Sequence, residues 1–453
     1  MTRREFIKLS VAASAVLTLP TTAQSAVLDL SSIEFSQDDY TSNNAQVIMV
    51  FLYGGASQLC ANISNMDDIR ANSQSDYDNY FRGITATTNN FWQEAGGTPL
   101  EEMVSAGDAT IFRTCYSQVR EDAGNKAHGE CTAQNQYGSF DDTNAGIVSN
   151  IAAILQNQEM IGEDTIMPFV TLEGESKFYA TGSLKLDSYL RAVGLDENLD
   201  NPYKRNSIRN WLYYTYQERQ TSGYNNSETG FDPALDATMN TLAQKNNTNE
   251  KIINNFNKRT ELSDFIDTIA DTTTPDLGDD AYPTNNNFAD KLEAAINVMA
   301  TNSDTKIITL GTSGLGGWDD HNDARNYVTR CESLFTTIKS AMAHLEAINK
   351  KDEISILVFG EFGRNVNLNS AFGWDHGNLQ NFYLFGGKGY FNHRGVVGET
   401  VLDDVGAINR MYLKPATNTE WFEPLSIAAT VYKVFGIQNP EILTGGYGAV
   451  DIF

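Results

Sequence analysis

Two short segments of the sequence place an aspartate beside or close to a histidine: Asp319 with His321, and Asp375 with His376. Each pair follows an apolar run and a stretch that contains glycine and tryptophan. Carboxylate oxygens and imidazole nitrogens are ligands of zinc, and manganese accepts both as well. One such pair alone is more typical of a surface turn. Two pairs at the ends of neighbouring strands predict a divalent metal site, with zinc or manganese as the ion.

Other residues that can do chemistry lie in the same kind of loop. Arg364 has two open interpretations: it clamps an oxyanion with its two-pronged guanidinium group, or it pairs with Glu361 and pins the loop. His128 follows another apolar run and is either a further active-site histidine or an ordinary loop residue. His393 follows the last strand-like run, whereas His344 lies beside a buried helical stripe and is predicted to be structural.

The elements that would position these residues are short apolar runs separated by helical patterns. Runs rich in valine and isoleucine that end in glycine or polar residues are typical of strands covered on both faces. The clearest helix is expected to begin near Asn322 or Asp323 and to bury residues at steps of three and four. The pattern predicts an α/β fold with a mostly parallel sheet sandwiched by helices. Its expected strands are 47–52, 109–112, 169–172, 306–310, 354–359 and 382–385.

The sequence has 453 residues, which allows one large domain or two to three smaller ones. Because the strand pattern resumes after a polar region at 183–301, we interpret 27–453 as one domain that carries 183–301 as a helical insertion or cap. Asparagine-rich tracts in that region leave a disordered linker as an alternative.

The N-terminus has the layout of an export signal. Arg3 and Arg4 precede an apolar run of small residues and a small-residue cleavage zone, which predicts a twin-arginine signal peptide at 1–26. The apolar run is too short to span a bilayer, so we expect no membrane span after the signal is removed. The expected location is periplasmic or extracellular. There the four cysteines can form up to two disulfides, in three possible pairings.

The charge balance excludes one class of partner. Lysine and arginine number 32 against 58 acidic residues, for a formal net charge of −26. A protein that neutralises phosphates along a nucleic acid needs a net basic surface. We therefore expect no nucleic-acid partner. The oligomeric state does not follow from the sequence.

Five segments, spread over most of the chain, carry a resemblance to a known family. The chain resembles family 1501 of the domains of unknown function, a family of twin-arginine-exported bacterial proteins that is similar to sulfatases within the alkaline phosphatase superfamily. The matching segments are Thr2-Arg3-Arg4-Glu5-Phe6, Phe51-Leu52-Tyr53-Gly54-Gly55-Ala56, Gly316-Gly317-Trp318-Asp319-Asp320-His321, Gly360-Glu361-Phe362-Gly363-Arg364 and Trp374-Asp375-His376-Gly377.

The resemblance implies a sulfatase-like fold with a metal-centred site. By analogy, Asp319 and His321 supply one metal position and Asp375 and His376 a second, and His393 stands where superfamily members often place another histidine. Two such ions would clamp the attacking and leaving oxygens of an ester displacement.

The chain departs from the family pattern at two positions. Ser57 lies in the loop where the family usually has an aspartate ligand, and Ala127 precedes His128 where the family usually has serine. If that serine is the nucleophile, its hydroxyl is missing here. Four other residues in predicted loops carry a hydroxyl group that could act as the nucleophile, and the sequence singles out none of them: Ser57, Thr114, Ser117 and Thr312.

Three functions follow as hypotheses. The first is a metal-dependent hydrolase that acts on a small-molecule or envelope phosphate or sulfate ester, with Ser57, Arg364 and His128 as its catalytic groups. The second is a catalytically degenerate member that holds no metal and serves as an extracellular structural or binding protein. The third and weakest is a carbohydrate or cell-envelope binder that uses exposed aromatic residues, for which the candidates are Trp92, Tyr213, Tyr214 and Tyr216.

Overall fold

A computed structural model describes residues 29–140, 145–199, 241, 245, 250–403 and 411–453. The predicted signal peptide at 1–26 and the three tyrosines of the carbohydrate hypothesis lie outside the described residues. Among the helices that are described, none is both long enough and apolar enough to cross a bilayer.

A central sheet of eight strands runs through the protein, and two small two-stranded sheets accompany it. The strands, in chain order, are β1 (Gln46–Leu52), β2 (Ala109–Tyr116), β3 (Phe169–Thr171), β4 (Val193–Gly194), β5 (Ile307–Gly311), β6 (Ile354–Gly360), β7 (Gly363–Arg364), β8 (His376–Gly377), β9 (Leu379–Gly386), β10 (Gly395–Val397), β11 (Thr400–Leu402) and β12 (Leu413–Pro415). The central sheet has the order β10-β2-β9-β6-β1-β5-β3-β4.

Strand direction in the central sheet is uniform apart from β9. β1 pairs in parallel with β5 and β6, and the outer pairs β3 with β5, β3 with β4 and β10 with β2 are parallel too. β9 lies antiparallel between β2 and β6. The predicted α/β fold with a mostly parallel sheet is therefore confirmed. All seven residues of β1 are buried, as expected for a strand covered on both faces.

Helices cover both faces of the sheet. In chain order the described helices are α1 (Gln37–Asn43), α2 (Met66–Asn72), α3 (Tyr77–Phe81), α4 (Gly97–Ser105), α5 (Gln118–Ala123), α6 (His128–Tyr137), α7 (Ile147–Asn157), α8 (Glu250–Ala270), α9 (Asn287–Thr301), α10 (Arg325–Ala347) and α11 (Leu425–Val434). Short 3-10 helices occupy Leu30–Ser32, Leu59–Ala61, Gln93–Ala95, Lys177–Tyr179, Ser188–Leu190, Gly278–Asp280 and Pro440–Ile442.

The two faces of the sheet enclose two separate apolar cores, because successive side chains of a strand point to opposite faces. Ile48 and Val50 of β1 join the core that α4, α9 and α10 cover. Val47 and Met49 join the other core, which α7 and α11 cover. Loops at the carboxyl ends of β1, β5 and β6 therefore project from a scaffold that is fixed on both sides.

Some sequence predictions differ from the structure in detail. Helix α10 begins at Arg325, and Asp323 does not cap it but adopts a left-handed φ of 47° and bonds the Arg325 guanidinium. The region 183–301 contains the two-residue strand β4, which its polar composition did not indicate. Helix α9 in the same region packs on the sheet through Leu292 and Ile296. The insertion itself stays a prediction, since 200–240, 242–244 and 246–249 lie outside the described residues.

Candidate metal centre

Four side chains meet at the carboxyl edge of the sheet: His128, Asp319, His321 and His376. One ligand atom of each lies within 4.8 Å of the others, and no second such group of three or more His, Cys, Asp or Glu occurs in the described part of the chain. Asp319 Oδ1 is 3.4 Å from His128 Nε2, 3.2 Å from His321 Nε2 and 3.8 Å from His376 Nε2. The two predicted Asp-His pairs thus contribute to one cluster rather than to two metal positions.

The cluster combines residues from loops that follow different strands. Asp319 and His321 lie in the loop between β5 and α10, His376 lies in β8, and His128 is the first residue of α6. Trp318 fixes the first loop because it is fully buried and its backbone N–H donates to the carbonyl of Tyr53 after β1. The four residues are therefore far apart in the sequence because three separate segments of the chain bring them together.

Each histidine of the cluster is held at its other ring nitrogen. Nδ1 of His376 lies 2.6 Å from the backbone carbonyl of Lys126, and Nδ1 of His128 lies 2.8 Å from Glu361 Oε1. His321 Nδ1 lies 3.4 Å from Asp375 Oδ1. Partners of this kind fix the ring orientation of metal-binding histidines and leave Nε2 directed at the ion.

The contact with Lys126 decides the tautomer of His376. A carbonyl oxygen only accepts, so Nδ1 carries the hydrogen and Nε2 of a neutral ring presents a lone pair. That Nε2 lies 2.8 Å from Nε2 of His321, whose Nδ1 faces the Asp375 carboxylate. This contact is therefore either a hydrogen bond donated by Nε2–H of His321 or the approach of two lone pairs to one shared cation.

Protonation in the cluster suits a metal ion. Burial, helped by the nearby charge of Arg364, lowers the pKa of His376 to about 4 against the raising effect of the Lys126 carbonyl. Burial acts to raise the pKa of Asp319, but the hydrogen bond and charge of Arg364 outweigh it and hold that pKa below its ordinary value. At neutral pH His376 is therefore neutral and Asp319 ionised, which are the forms that bind metals.

The donor set and its spacing fit a single divalent ion. Four ligands at about 2.0–2.1 Å from a tetrahedral zinc ion lie about 3.3 Å from one another. Four of the six separations between ligand atoms run from 2.8 to 3.8 Å and bracket that value, and all six lie within 4.8 Å. Three imidazoles and one carboxylate are also ligands of the type that zinc accepts.

Arg364 is buried beneath the cluster and cannot reach a substrate. Its side chain has no exposed surface and donates to the carbonyls of Gly54, Gly55 and Trp374, and to Asp319 Oδ1 at 2.5 Å. The prediction of Arg364 as a catalytic oxyanion clamp is therefore wrong. Its pairing with Glu361 is not observed either, because the guanidinium is committed to backbone carbonyls and Asp319.

Glu361 is a site residue that the sequence interpretation considered only as a partner of Arg364. Its buried carboxylate accepts from the Gly54 N–H at 2.5 Å, bonds Nδ1 of His128 and accepts a short hydrogen bond from Thr132. His128 and Thr132 lie four residues apart on α6 and so share one face of the helix. An acidic residue directly after a fully buried strand was the signal in the sequence for this role.

Two other predicted residues lie near the cluster without joining it. Asp375 contacts the rear nitrogen of His321, so it supports a ligand and is not itself in the four-residue group. Ser57 is buried, and its hydroxyl accepts a hydrogen bond from the Leu59 N–H at 3.4 Å. Within the described residues its hydrogen bonds go to Leu59 and Tyr327 and not to the four-residue group, so its predicted catalytic role stays a prediction.

The other hydroxyls considered as nucleophiles have structural partners. Thr114 donates to the carbonyl of Glu420, Ser117 caps α5, and the hydroxyl of Thr312 accepts from Nε1 of Trp318. None of the three was singled out by the sequence, and their hydrogen bonds give them roles in loop and helix structure.

His393 lies at the opposite edge of the sheet. Its Nε2 bonds the carbonyl of Gly386 at 2.8 Å and its Nδ1 lies 3.2 Å from the hydroxyl of Thr110. Thr110 is near the start of β2, and Gly386 ends the antiparallel strand β9. The metal-ligand prediction for His393 is therefore wrong, because the antiparallel direction of β9 carries the chain back to the amino ends of the other strands.

Two remaining predictions concern buried residues. Trp92 is fully buried and its indole N–H donates to the carbonyl of Gly83, which excludes it as an exposed sugar-binding residue. His344 is buried in α10 beside the hydroxyl of Tyr282, in agreement with the structural role predicted for it from the sequence.

Comparison with known proteins finds only distant similarity to solved structures. No curated protein matches the chain. Similar solved structures include the soluble domain of lipooligosaccharide phosphoethanolamine transferase A from Neisseria meningitidis, with 10% identity, 89% of this chain and 93% of that chain covered and a TM-score of 0.36. The lipoteichoic acid synthase LtaP from Listeria monocytogenes has 8% identity, coverages of 93% and 79% and a TM-score of 0.36.

A third structure is alkaline phosphatase from the Antarctic bacterium TAB5, with 13% identity, 86% of this chain and 98% of that chain covered and a TM-score of 0.33. At such identities and TM-scores a likeness carries no argument about activity. The chemistry of the cluster therefore rests on the residues of this chain.

A family model gives the firmer result. The model described as protein of unknown function, DUF1501, matches residues 44–444. This range includes all four residues of the cluster together with Glu361, Arg364 and Asp375. The chain therefore belongs to the DUF1501 family.

Proposed function

We propose that the protein is a metal-dependent hydrolase of phosphate or sulfate esters, with one divalent ion held by His128, Asp319, His321 and His376. The observation that carries this proposal is the convergence of three imidazole Nε2 atoms on one carboxylate oxygen. Nε2 of His321 and Nε2 of His376 lie 2.8 Å apart, so one divalent cation can be bound by both nitrogens.

The chain's own residues supply orientation and charge around such an ion. Glu361 and the Lys126 carbonyl hold two of the imidazoles, and Arg364 keeps Asp319 ionised. When bound, a divalent ion lowers the pKa of a coordinated water and polarises an ester oxygen. Half of the Asp319 side chain and about a third of the His128 and His321 side chains are exposed, so a substrate can reach the centre.

Activity with aryl esters tests the proposal. We expect the metal-loaded protein to hydrolyse 4-nitrophenyl phosphate or 4-nitrophenyl sulfate, and a chelator to abolish turnover until zinc or manganese is restored. Asp319→Ala and His376→Ala are expected to lose at least about 100-fold in kcat/KM, equivalent to about 2.7 kcal/mol. Turnover that persists in metal-free protein and in both variants would remove the basis of the proposal.

A second function is a metal-stabilised structural or binding protein without turnover. Four protein ligands favour it, because structural zinc sites are usually closed by four protein ligands whereas catalytic sites keep one position open. Ala127 in the position before His128 supplies no hydroxyl for covalent chemistry. A bound metal that raises the thermal unfolding midpoint, with no turnover of either ester, would favour this second function.

The net charge sets an expectation for the rate. The chain carries a formal charge of −26, which repels anionic esters at long range. If the protein is a hydrolase, kcat/KM for 4-nitrophenyl phosphate should rise as salt screens this repulsion. A neutral ester should show no such dependence on ionic strength.

We also propose that residues 1–26 direct export by the twin-arginine route, supported by the adjacent Arg3 and Arg4 ahead of a short apolar run. Replacing both arginines by lysine should retain the full-length chain inside the cell. Unchanged export of the double variant would contradict this proposal.

A further inference from the structure

Two of the buried cysteines, Cys60 and Cys331, lie against each other although they are far apart in the sequence. Cys60 belongs to the 3-10 helix Leu59–Ala61 that follows the β1 loop, and Cys331 lies on α10. Both residues are almost fully buried, and both line the same small cavity. All four cysteines are free thiols in the structure.

Two tyrosine hydroxyls hold the Cys60 end of this pair. The Cys60 N–H donates to the hydroxyl of Tyr327 at 2.9 Å, and Cys60 Sγ lies 3.0 Å from the hydroxyl of Tyr383. Tyr327 in turn donates to the carbonyl of Ser57 at 2.7 Å. The position of the Cys60 thiol is therefore set by both the β1 loop and α10.

Space beside the two thiols allows them to move closer together. Both cysteines line one small cavity of about 10 Å³, which Ser57, Leu334 and Phe335 also line. A disulfide requires Cβ atoms about 3.5–4.5 Å apart and a well-defined dihedral angle, so a small adjustment of the side chains must be possible. The cavity gives the two side chains some room for that adjustment.

The two thiols differ in reactivity. Burial acts to raise the pKa of Cys60, but hydrogen bonds from Cys331, Tyr327 and Tyr383 outweigh it and lower that pKa. Burial raises the pKa of the Cys331 thiol well above its ordinary value. The thiolate is the form that attacks a disulfide, and the Tyr383 hydroxyl 3.0 Å from Cys60 Sγ can donate to a thiolate there, so Cys60 is the attacking group and Cys331 the resolving group of the pair.

We propose that Cys60 and Cys331 form a disulfide bond when the protein meets a disulfide oxidant such as oxidised glutathione. The Cys60 thiolate attacks one sulfur of the oxidant and releases one glutathione. The Cys331 thiol then displaces the second glutathione from the mixed disulfide, so the protein loses two electrons and two protons. Because both sulfurs are buried, the exchange takes place while the chain folds or when this region opens transiently.

The bond would tie together two supports of the four-residue cluster. The segment from Gly54 to Cys60 provides the backbone groups that contact Glu361 and Arg364, and α10 follows the loop that carries Asp319 and His321. A cross-link between distant residues stabilises the fold mainly by restricting the unfolded chain. The oxidised protein should therefore unfold at a higher temperature than the reduced protein.

Counting thiols in the full chain tests the proposal. The protein is incubated with oxidised glutathione at a temperature just below its unfolding midpoint, then denatured, alkylated and analysed by mass spectrometry. We expect two of the four cysteines to resist alkylation, a Cys60–Cys331 peptide in the digest, and a thermal midpoint raised by several degrees. The same sample treated with dithiothreitol should show four alkylated cysteines and the lower midpoint.

Variants provide the matched controls. Cys115→Ser should keep the bridge, whereas Cys331→Ser should abolish it and leave Cys60 with bound glutathione. Four reactive thiols in the oxidised wild-type protein, or a bridge to Cys115 or Cys131 instead, would overturn the proposal. These results require no ester turnover, so they do not depend on the proposed hydrolase function.

Discussion

Arg364 donates a hydrogen bond of 2.5 Å to Asp319 while its side chain has no exposed surface. The guanidinium therefore donates to the carboxylate from the buried side of the cluster and is not available to a substrate. Its other donors reach backbone carbonyls of the β1 loop and of Trp374. One residue thus links three segments that hold the cluster.

Replacing Arg364 should affect stability more than substrate binding. Arg364→Ala leaves several buried carbonyls and the Asp319 carboxylate without a donor, and we expect a loss of about 3–5 kcal/mol in the free energy of unfolding. Urea unfolding measures this loss. Arg325→Ala, which removes an exposed arginine, is the control and should cost less than about 1 kcal/mol. A stable Arg364→Ala protein with only a raised KM would instead restore the oxyanion-clamp interpretation.

Asp375 supports the cluster through His321 and should matter less than a direct ligand. Asp375→Asn removes the carboxylate 3.4 Å from His321 Nδ1 and should weaken metal binding about tenfold. Asp319→Asn should weaken it by a clearly larger factor, because Asp319 Oδ1 lies at the centre of the group. Zinc affinity measured by competition with a chromogenic chelator separates the two. Equal losses would mean that Asp375 is itself a ligand.

Two glycines of the site provide a matched pair of substitutions. A Cβ atom at Gly373 would lie 2.1 Å from the backbone carbon and oxygen of His321, whereas one at Gly317 would meet nothing within 4 Å. Gly373→Ala must displace the His321 backbone and should cost about 1–3 kcal/mol of stability, together with metal affinity. Gly317→Ala should leave both within about 0.5 kcal/mol of wild type. Similar behaviour of the two variants would show that the position of His321 is not critical.

His344 should make stability depend on pH. Burial lowers its pKa in the folded state to about 4 from the ordinary value of 6.5. Between pH 6.5 and pH 4 His344 is therefore protonated in the unfolded chain but not in the folded chain. Its contribution to stability is complete above pH 6.5 and is lost as the pH falls towards 4. We expect this residue to account for about 2 kcal/mol of the loss. Unfolding free energies of His344→Gln measured at pH 7.5 and 4.5 should lack this component, and an unchanged pH dependence would refute it.

The fold could be predicted because each strand is indicated by its own short stretch of sequence. Each predicted strand is an apolar run buried on both faces, and β1 shows this along its whole length. The direction of β9 could not be predicted, because an apolar run does not indicate whether a strand pairs in parallel or antiparallel with its neighbours. That direction determines where His393 lies, which explains why the prediction failed for this residue.

The candidate site was predictable by residue type but not by arrangement. Asp319, His321 and His376 stood out as ligand types at strand ends, and His128 as a histidine in a comparable loop. Their grouping depends on contacts between distant backbones, such as the Lys126 carbonyl at His376 and the pairing of β7 with β8. Backbone groups carry no residue-specific signal, so no sequence pattern indicates such contacts.

The most direct test of the metal centre is a count of bound metal per chain. Protein purified with zinc and dialysed should hold about one ion per chain by inductively coupled plasma mass spectrometry, as expected for one four-ligand site. His376→Ala should lose that ion, whereas His393→Ala, which removes a histidine at the opposite edge of the sheet, should retain it. Circular dichroism would show that both variants are folded. Wild-type protein without bound metal, or equal metal loss in the two variants, would contradict the assignment of this cluster.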